Sequence, residues 1–238
     1  MSIIKPIEID IISIRDNRQN KNNLLAIESI KEGNLTKNIN IEEYKRVLVE
    51  LNITESDLLE ECKNNINFTK LLAGRISKNA SRQGSKDENL QLNICKTTFS
   101  KCGINLNNLS STSFRPTKNG EIVNKKELTN RKIKKDDCLK SFDAQFNGNI
   151  NGWIFAKIVI GNGGHQDNVF EEAYTFCEWV VKYGNKLELY IVLIDTNLIE
   201  KYNNIITKYE KYSNLLIGNH IKVQQYIIDK YYVLDTNK

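Results

Sequence analysis

Several things are scarce in this 238-residue chain, and each scarcity removes a class of function. The five cysteines, Cys62, Cys95, Cys102, Cys138 and Cys177, form no CxxC pair and are odd in number, which argues against a zinc ribbon and a disulfide framework. A reduced, intracellular protein is expected. No run of about 18 apolar residues occurs and no apolar h-region follows Met1, so neither a membrane span nor secretion is expected, and a cytoplasmic location is. There is no internal repeat, no nucleotide-binding glycine loop and no nucleophile–base pair, which makes a small-molecule enzyme the weaker reading. Only two histidines are present, and His165 by itself is not a zinc motif. Charge is nearly balanced: 34 basic against 29 acidic residues leave +5, which is compatible with a polyanionic partner without specifying one.

What charge there is lies unevenly. Lys63, Lys70, Arg75, Lys78, Arg82 and Lys86 fall in a stretch without a single acid, and a second basic cluster runs from Lys125 to Lys140. Either can be a solvated face or a phosphate-binding one.

The hydrophobic pattern divides the chain into a mainly helical accessory region, 1–79, and a larger core, 80–238. LLAIESIKEG and IEEYKRVLVELN have helical spacing, and Thr54 with Asp57 forms a capping signal before LLEECKNN. In the core, a helix follows Gly84 with Leu90, Ile94 and Thr97 or Thr98 along one side, and Gly103 ends it. The polar segment 105–137 holds a turn at Asn119-Gly120 that suits a hairpin. CLKSFDAQF alternates, Asn147 to Asn151 is turn-rich, and GWIFAKIVIG is an apolar run of buried-strand length. NVFEEAYTFCEWVVKYG reads as a helix ended by Gly184, and LELYIVLID as another buried strand. Farther on, LIEKYNNIITKYEKYSNLLIG reads as helical and IKVQQYIIDKYYVL is mixed. The expectation is an α/β protein with a mixed sheet.

The chemistry concentrates between Lys140 and Trp179. Enzymes that cut phosphodiesters at neutral pH commonly hold a divalent cation with oxygen ligands and place a positive group near the phosphate. Asp143 stands where a strand ends, and Lys157 follows after thirteen intervening residues, inside the next strand. A short turn between them returns the lysine to the aspartate. Within WIFAKIVI a charged head is out of place unless it is compensated or snorkels to water.

These features resemble the PD-(D/E)XK nuclease superfamily, the fold of many type II restriction endonucleases, over roughly Ser81 to Asp195. The resemblance implies a restriction-endonuclease-like central mixed β-sheet flanked by helices. Two positions depart from its pattern: Phe142 replaces the proline before Asp143, and Phe155 stands where a second acid is usual. One branch of restriction enzymes moves that acid to the following helix, with thirteen residues between lysine and glutamate, and Glu171 stands at that distance from Lys157. At about 100° per residue, Phe170, Ala173, Tyr174, Cys177 and Val181 share an apolar face that Glu171 flanks, whereas Glu172 points nearly opposite; Glu171 is preferred and Glu172 is the alternative. Many members also carry a Gly-x-x-x-Glu pattern opening an early helix, and Gly84-Ser-Lys-Asp-Glu88 fits it.

By resemblance, Asp143 and the migrated carboxylate, with Glu88 nearby, hold Mg²⁺, the Ala156 or Phe155 carbonyl and waters complete its shell, and Lys157 orients or deprotonates the attacking water. The implied activity is Mg²⁺-dependent cleavage of double-stranded DNA at a specific sequence by a homodimer, within a system whose DNA methyltransferase protects the host. A repair or mobile-element nuclease, and a DNA-binding module of the same fold that has lost cleavage, are the other readings. For DNA contact, Arg82, Gln83 and Lys86 precede or open the early helix, while His165, Gln166 and Asn168 sit in a glycine-rich link to the glutamate helix. Asp167 could cap that helix or ligate a metal.

Overall fold

The computed structural model describes residues 4–80, 84–110, 113–160 and 164–232. The chain divides into two compact units, Asp10–Gly84 and a larger one made of Met1–Ile9 with Ser85–Lys238. The boundary thus falls a few residues later than the hydrophobic pattern places it, and the extended start of the chain belongs to the larger unit.

Among the described residues the smaller unit holds four α-helices, α1 (Ile11–Lys31), α2 (Ile41–Leu51), α3 (Glu55–Asn64) and α4 (Ile66–Ile76). Thr54 and Asp57 cap α3 reciprocally, each side chain taking the other residue's backbone N–H, so aspartate does the work usually given to glutamate. Ala26, Ile30, Val47, Leu58, Leu72 and Ile76 form its core.

The larger unit begins with α5 (Gly84–Lys101) and β1 (Ile104–Asn108), followed by the short hairpin β2 (Phe114–Pro116) and β3 (Ile122–Asn124) and by α6 (Lys125–Asn130). Then come β4 (Ala144–Gly148), β5 (Asn151–Val159), α7 (Gly164–Tyr183), β6 (Glu188–Thr196), α8 (Ile199–Tyr209), β7 (Leu215–Gly218) and α9 (His220–Tyr231). Five strands form one mixed sheet in the order β1-β4-β5-β6-β7. The β1–β4 and β4–β5 pairs are antiparallel, and the β5–β6 and β6–β7 pairs are parallel. The expected α/β class with a helix-flanked mixed sheet is present.

Strict alternation explains why the middle strands read as continuous apolar runs. Ile154 and Ala156 of β5, with Leu189, Ile191 and Leu193 of β6, pack beneath α5 and α9. Their neighbours Trp153, Phe155, Tyr190, Val192 and Ile194 pack against α7 and α8. Both faces are covered, as parallel strands require. Gly152 is fixed by this closeness, since a Cβ there would overlap the Leu189 carbonyl oxygen. Gly148 turns the β4–β5 connection at φ +126°, where its backbone also touches Gly103.

Several local expectations are corrected. Helix α5 buries Gln91, Leu92, Cys95, Thr98 and Phe99; of the expected side Thr98 is buried, while Leu90 and Ile94 are only half-buried at its margin, because polar residues occupy part of the inner face. Asp143 precedes the start of β4 instead of ending a strand. The segment LLIG, Leu215–Gly218, is the strand β7, not helix, and it adds to the parallel edge of the sheet.

Candidate active site

The β4–β5 ladder determines where Asp143 and Lys157 meet. Ala144 pairs with Ile154, and the Asp143 N–H still donates to the Ile154 carbonyl at 2.8 Å. One residue earlier the chain turns away, and the Phe142 N–H bonds to Phe114 instead. The strand β5 therefore runs on without its neighbour. Its next N–H, from Ala156, is taken by the Asp143 carboxylate, with Oδ2 at 2.8 Å. A side chain replaces the missing main-chain acceptor, which satisfies the ladder and fixes the carboxylate.

Lys157 follows at once. Its Nζ lies 3.7 Å from Asp143 Oδ2 and 3.0 Å from Glu88 Oε1, so residues from α5, the entry to β4, and β5 converge. The ammonium also sits 4.7 Å from the centre of the Phe155 ring. The lysine does not snorkel to solvent: its side chain is only 17% exposed, and Glu88 and Asp143 are 23% and 20% exposed. Burial works against the Lys157 charge, but Asp143 and Glu88 together outweigh it and hold the group above the ordinary lysine range. Burial, with the Glu88 charge adding to it, pushes Asp143 up to about 6 despite the pull of Lys157 and the Ala156 N–H.

Phe155, at the position of the usual second acid, is part of the core. It is 1% exposed and stacks on Phe176 of α7, ring centres 5.2 Å apart at 14°. No carboxylate could replace it without entering that packing.

The two glutamates of α7 exchange places relative to the expectation. The buried residues Phe170, Ala173, Phe176, Cys177 and Val180 centre the inner face farther round the helix than the sequence grouping. The reason is Phe176 and Val180, which carry more of the packing than Tyr174 and Val181. Glu171 is thereby exposed, while Glu172 is half-buried, pairs with Lys140 at 3.3 Å, and contributes to the charge felt by Lys157. Both line a cleft of about 400 Å³ together with Lys118, Lys140, Asn168 and Thr175.

No protein-family model matches this chain. No curated protein and no solved structure matches it either.

Of the expected contact residues, Lys86 and Asn168 are exposed. Arg82 and Gln83 lie outside the described residues, as do the side chains of His165, Gln166 and Asp167. Trp153 and Trp179 are core residues, and Trp179 Nε1 donates to the Thr117 carbonyl at 2.7 Å. The cysteines are free; four are buried, and burial pushes the Cys95 and Cys177 thiols strongly up, so they serve packing and not nucleophilic chemistry. Sequence reasoning missed three polar residues on the far face of the sheet, Gln91, Asp195 and His220. The acid closing the apolar run of β6 was the available signal for them.

The donor set can be tested against a cation. Among the described residues, no cluster of three or more histidine, cysteine, aspartate or glutamate side chains could hold a metal ion. What is present is a pair of carboxylates, Asp143 and Glu88, on a shared lysine. Mg²⁺ is characteristically bound by one or two carboxylates, waters and substrate phosphate, so an oxygen-only pair suits that ion and would not suit zinc. Among the described residues, no helix is long and apolar enough to cross a membrane.

Proposed function

We propose that this protein is a Mg²⁺-dependent endodeoxyribonuclease of the type II restriction class, with a restriction-endonuclease-like fold, cutting double-stranded DNA at a specific sequence. The observation that carries the reading is the convergence of Asp143, Glu88 and Lys157 at the place where β4 leaves β5. The sequence order of strand, turn, lysine strand, helix and strand supports it.

Asp143 and Glu88 would hold the ion, with Glu172, whose charge acts on Lys157, preferred to Glu171 as the α7 ligand. When bound, Mg²⁺ supplies charge that polarises the phosphate and favours a nucleophilic water. Lys157, kept protonated by its carboxylate neighbours, holds the attacking water and offsets the negative charge that grows on the phosphate. Phe155 closes the floor of the site against water from the core side. A homodimer and a protective methyltransferase belong to this reading.

Digestion of a plasmid and a longer DNA with Mg²⁺, followed by sequencing of the ends, tests it. Discrete ends that vanish in Asp143→Ala and Lys157→Ala support a sequence-specific nuclease; ends scattered at structural features favour a repair or mobile-element enzyme. One observation favours a second reading, a DNA-binding module without cleavage: the usual second acid is a core phenylalanine. Duplex binding with no cutting in Mg²⁺ or Mn²⁺ would select it.

A further inference from the structure

Behind the site, on the α5/α9 face of the sheet, lies a chain of buried polar groups. The alternation of β6 turns Asp195 to this face, directly after Ile194. Gln91 of α5 is fully buried there, and its Nε2 donates both to Asp195 Oδ2 and to the Lys157 carbonyl, the latter at 3.3 Å. Both partners only accept, so the nitrogen end of the amide must face them. The other Asp195 oxygen meets His220 Nδ1 at 2.6 Å, and His220 Nε2 accepts the Ile9 N–H at 3.2 Å. With Nε2 engaged as an acceptor, Nδ1 carries the proton and donates to Asp195.

The result is a continuous run of hydrogen bonds from Ile9 through His220 to Asp195, which accepts from both His220 and Gln91, and from Gln91 on to the backbone of Lys157. Pairing the buried Asp195 accounts for one end of Gln91. Its Oε1 is buried without a hydrogen-bond partner among the described residues, a cost that this pairing must offset. Position gives it a further role. Glu88 and Gln91 are three residues apart on α5, hence on one side of the helix, and they grip the two ends of one residue: Glu88 the Lys157 ammonium, Gln91 the Lys157 carbonyl. They do so beyond the last β4 pair, where β5 keeps β6 as its one strand neighbour.

We infer that Gln91, oriented by Asp195 and His220, is a positioning residue that fixes Lys157 against Glu88 and Asp143. Its effect on catalysis rests on the nuclease reading; the positioning itself does not. Two measurements on the full chain separate them. Reductive methylation followed by peptide mass spectrometry reports how accessible the Lys157 ammonium is, normalised to the exposed Lys45, whether or not the protein cuts DNA. Steady-state cleavage reports kcat and KM.

Gln91→Met keeps volume and helix propensity but removes both donors. Asp195→Asn sets an amide NH₂ against one of two donors. Both are expected to raise Lys157 methylation several-fold and to lower kcat by roughly 10–100-fold with KM little changed, the size usual for partners that orient a reacting group. Should one variant fail to fold, the other decides. Thr98→Val is the control, because it breaks the neighbouring buried bond to Gln224 (2.6 Å) on the same helix without touching Gln91. It is expected to lower stability and leave Lys157 methylation as in the wild type.

Unchanged methylation in the folded Gln91 and Asp195 variants overturns the inference. So does an equal rise in Thr98→Val, which would mean general loosening. A wild-type protein that never cuts DNA overturns only the nuclease reading, and methylation still decides the positioning.

Discussion

Introducing the missing acid at position 155 is expected to damage the protein without improving its metal site. In Phe155→Glu the lost side chain is 1% exposed and stacked on Phe176 at 5.2 Å, so the change removes a core aromatic. Truncating buried phenylalanines typically costs about 3–5 kcal/mol. The glutamate stem recovers part of that contact, but its carboxylate must either ionise among Phe142, Phe176 and Trp179 or take up a proton, and either choice adds to the cost. Lys157 offers little relief, being already shared by Glu88 and Asp143. A net loss of about 3–5 kcal/mol is a large part of the 5–15 kcal/mol that a domain has in total. Urea unfolding followed by tryptophan fluorescence measures it, with Phe155→Leu as the volume-conserving control, expected to lose under about 1.5 kcal/mol. Calorimetric Mg²⁺ titration of the same samples completes the test. A loss below about 1 kcal/mol combined with tighter Mg²⁺ binding would refute the reasoning, because residue 155 would then face the carboxylates and not the core.

The other expected outcomes follow from the same geometry. Lys157→Ala and Asp143→Ala should each reduce cleavage by at least about 10²-fold, the effect of removing one aimed charge or donor, while far-ultraviolet circular dichroism stays native. Glu172→Ala should weaken Mg²⁺-dependent cleavage and Glu171→Ala should not, which one titration series in Mg²⁺ distinguishes. In the metal-free protein Asp143, raised to about 6 against an ordinary 3.8, binds more protons folded than unfolded between those values. Its contribution to stability is therefore present at low pH and lost as pH rises through about 6; Asp143→Asn should remove this part of the urea-midpoint profile, a difference on the order of 2–3 kcal/mol at neutral pH. Thr54→Ala should cost about 1 kcal/mol by removing the α3 cap, readable in the unfolding midpoint.

The legible parts of the sequence were those where one local rule acts alone. Thr54 and Asp57 marked the start of α3, Gly103 the end of α5, and Asn119-Gly120 the turn between β2 and β3. The run WIFAKIVI showed β5 because both of its faces are covered, and the lysine within it stood out for the same reason. Failures occurred where partners distant in the chain decide the outcome. Gln91 carried no apolar signal, yet it is buried because Asp195 meets it across a gap of 104 residues, and Thr98 is buried against Gln224 across 126. Strand β1 was hidden in a polar stretch, since only Ile104 and Leu106 of its five residues face the core. The α7 face was misjudged by less than one turn of the helix, enough to reverse Glu171 and Glu172, because spacing does not say which aromatic carries the packing.

The Asp143 carboxylate that completes the β4–β5 ladder makes the loop between those strands a measuring device. Asp143 and Lys157 sit on two arms of one hairpin, and the turn from Gly148 to Asn151 sets how far each arm extends past the other. Side chains in a strand change face with every residue, so inserting or deleting one residue in that turn would carry Lys157 to the opposite side of the sheet and leave Ala156 without its acceptor. Composition in the turn is held too, since Gly148 keeps its backbone angle, Asn149 Nδ2 donates to the Cys102 carbonyl at 2.8 Å and Ile150 packs against the core. Natural or designed variation here should therefore preserve the residue count together with these three anchors.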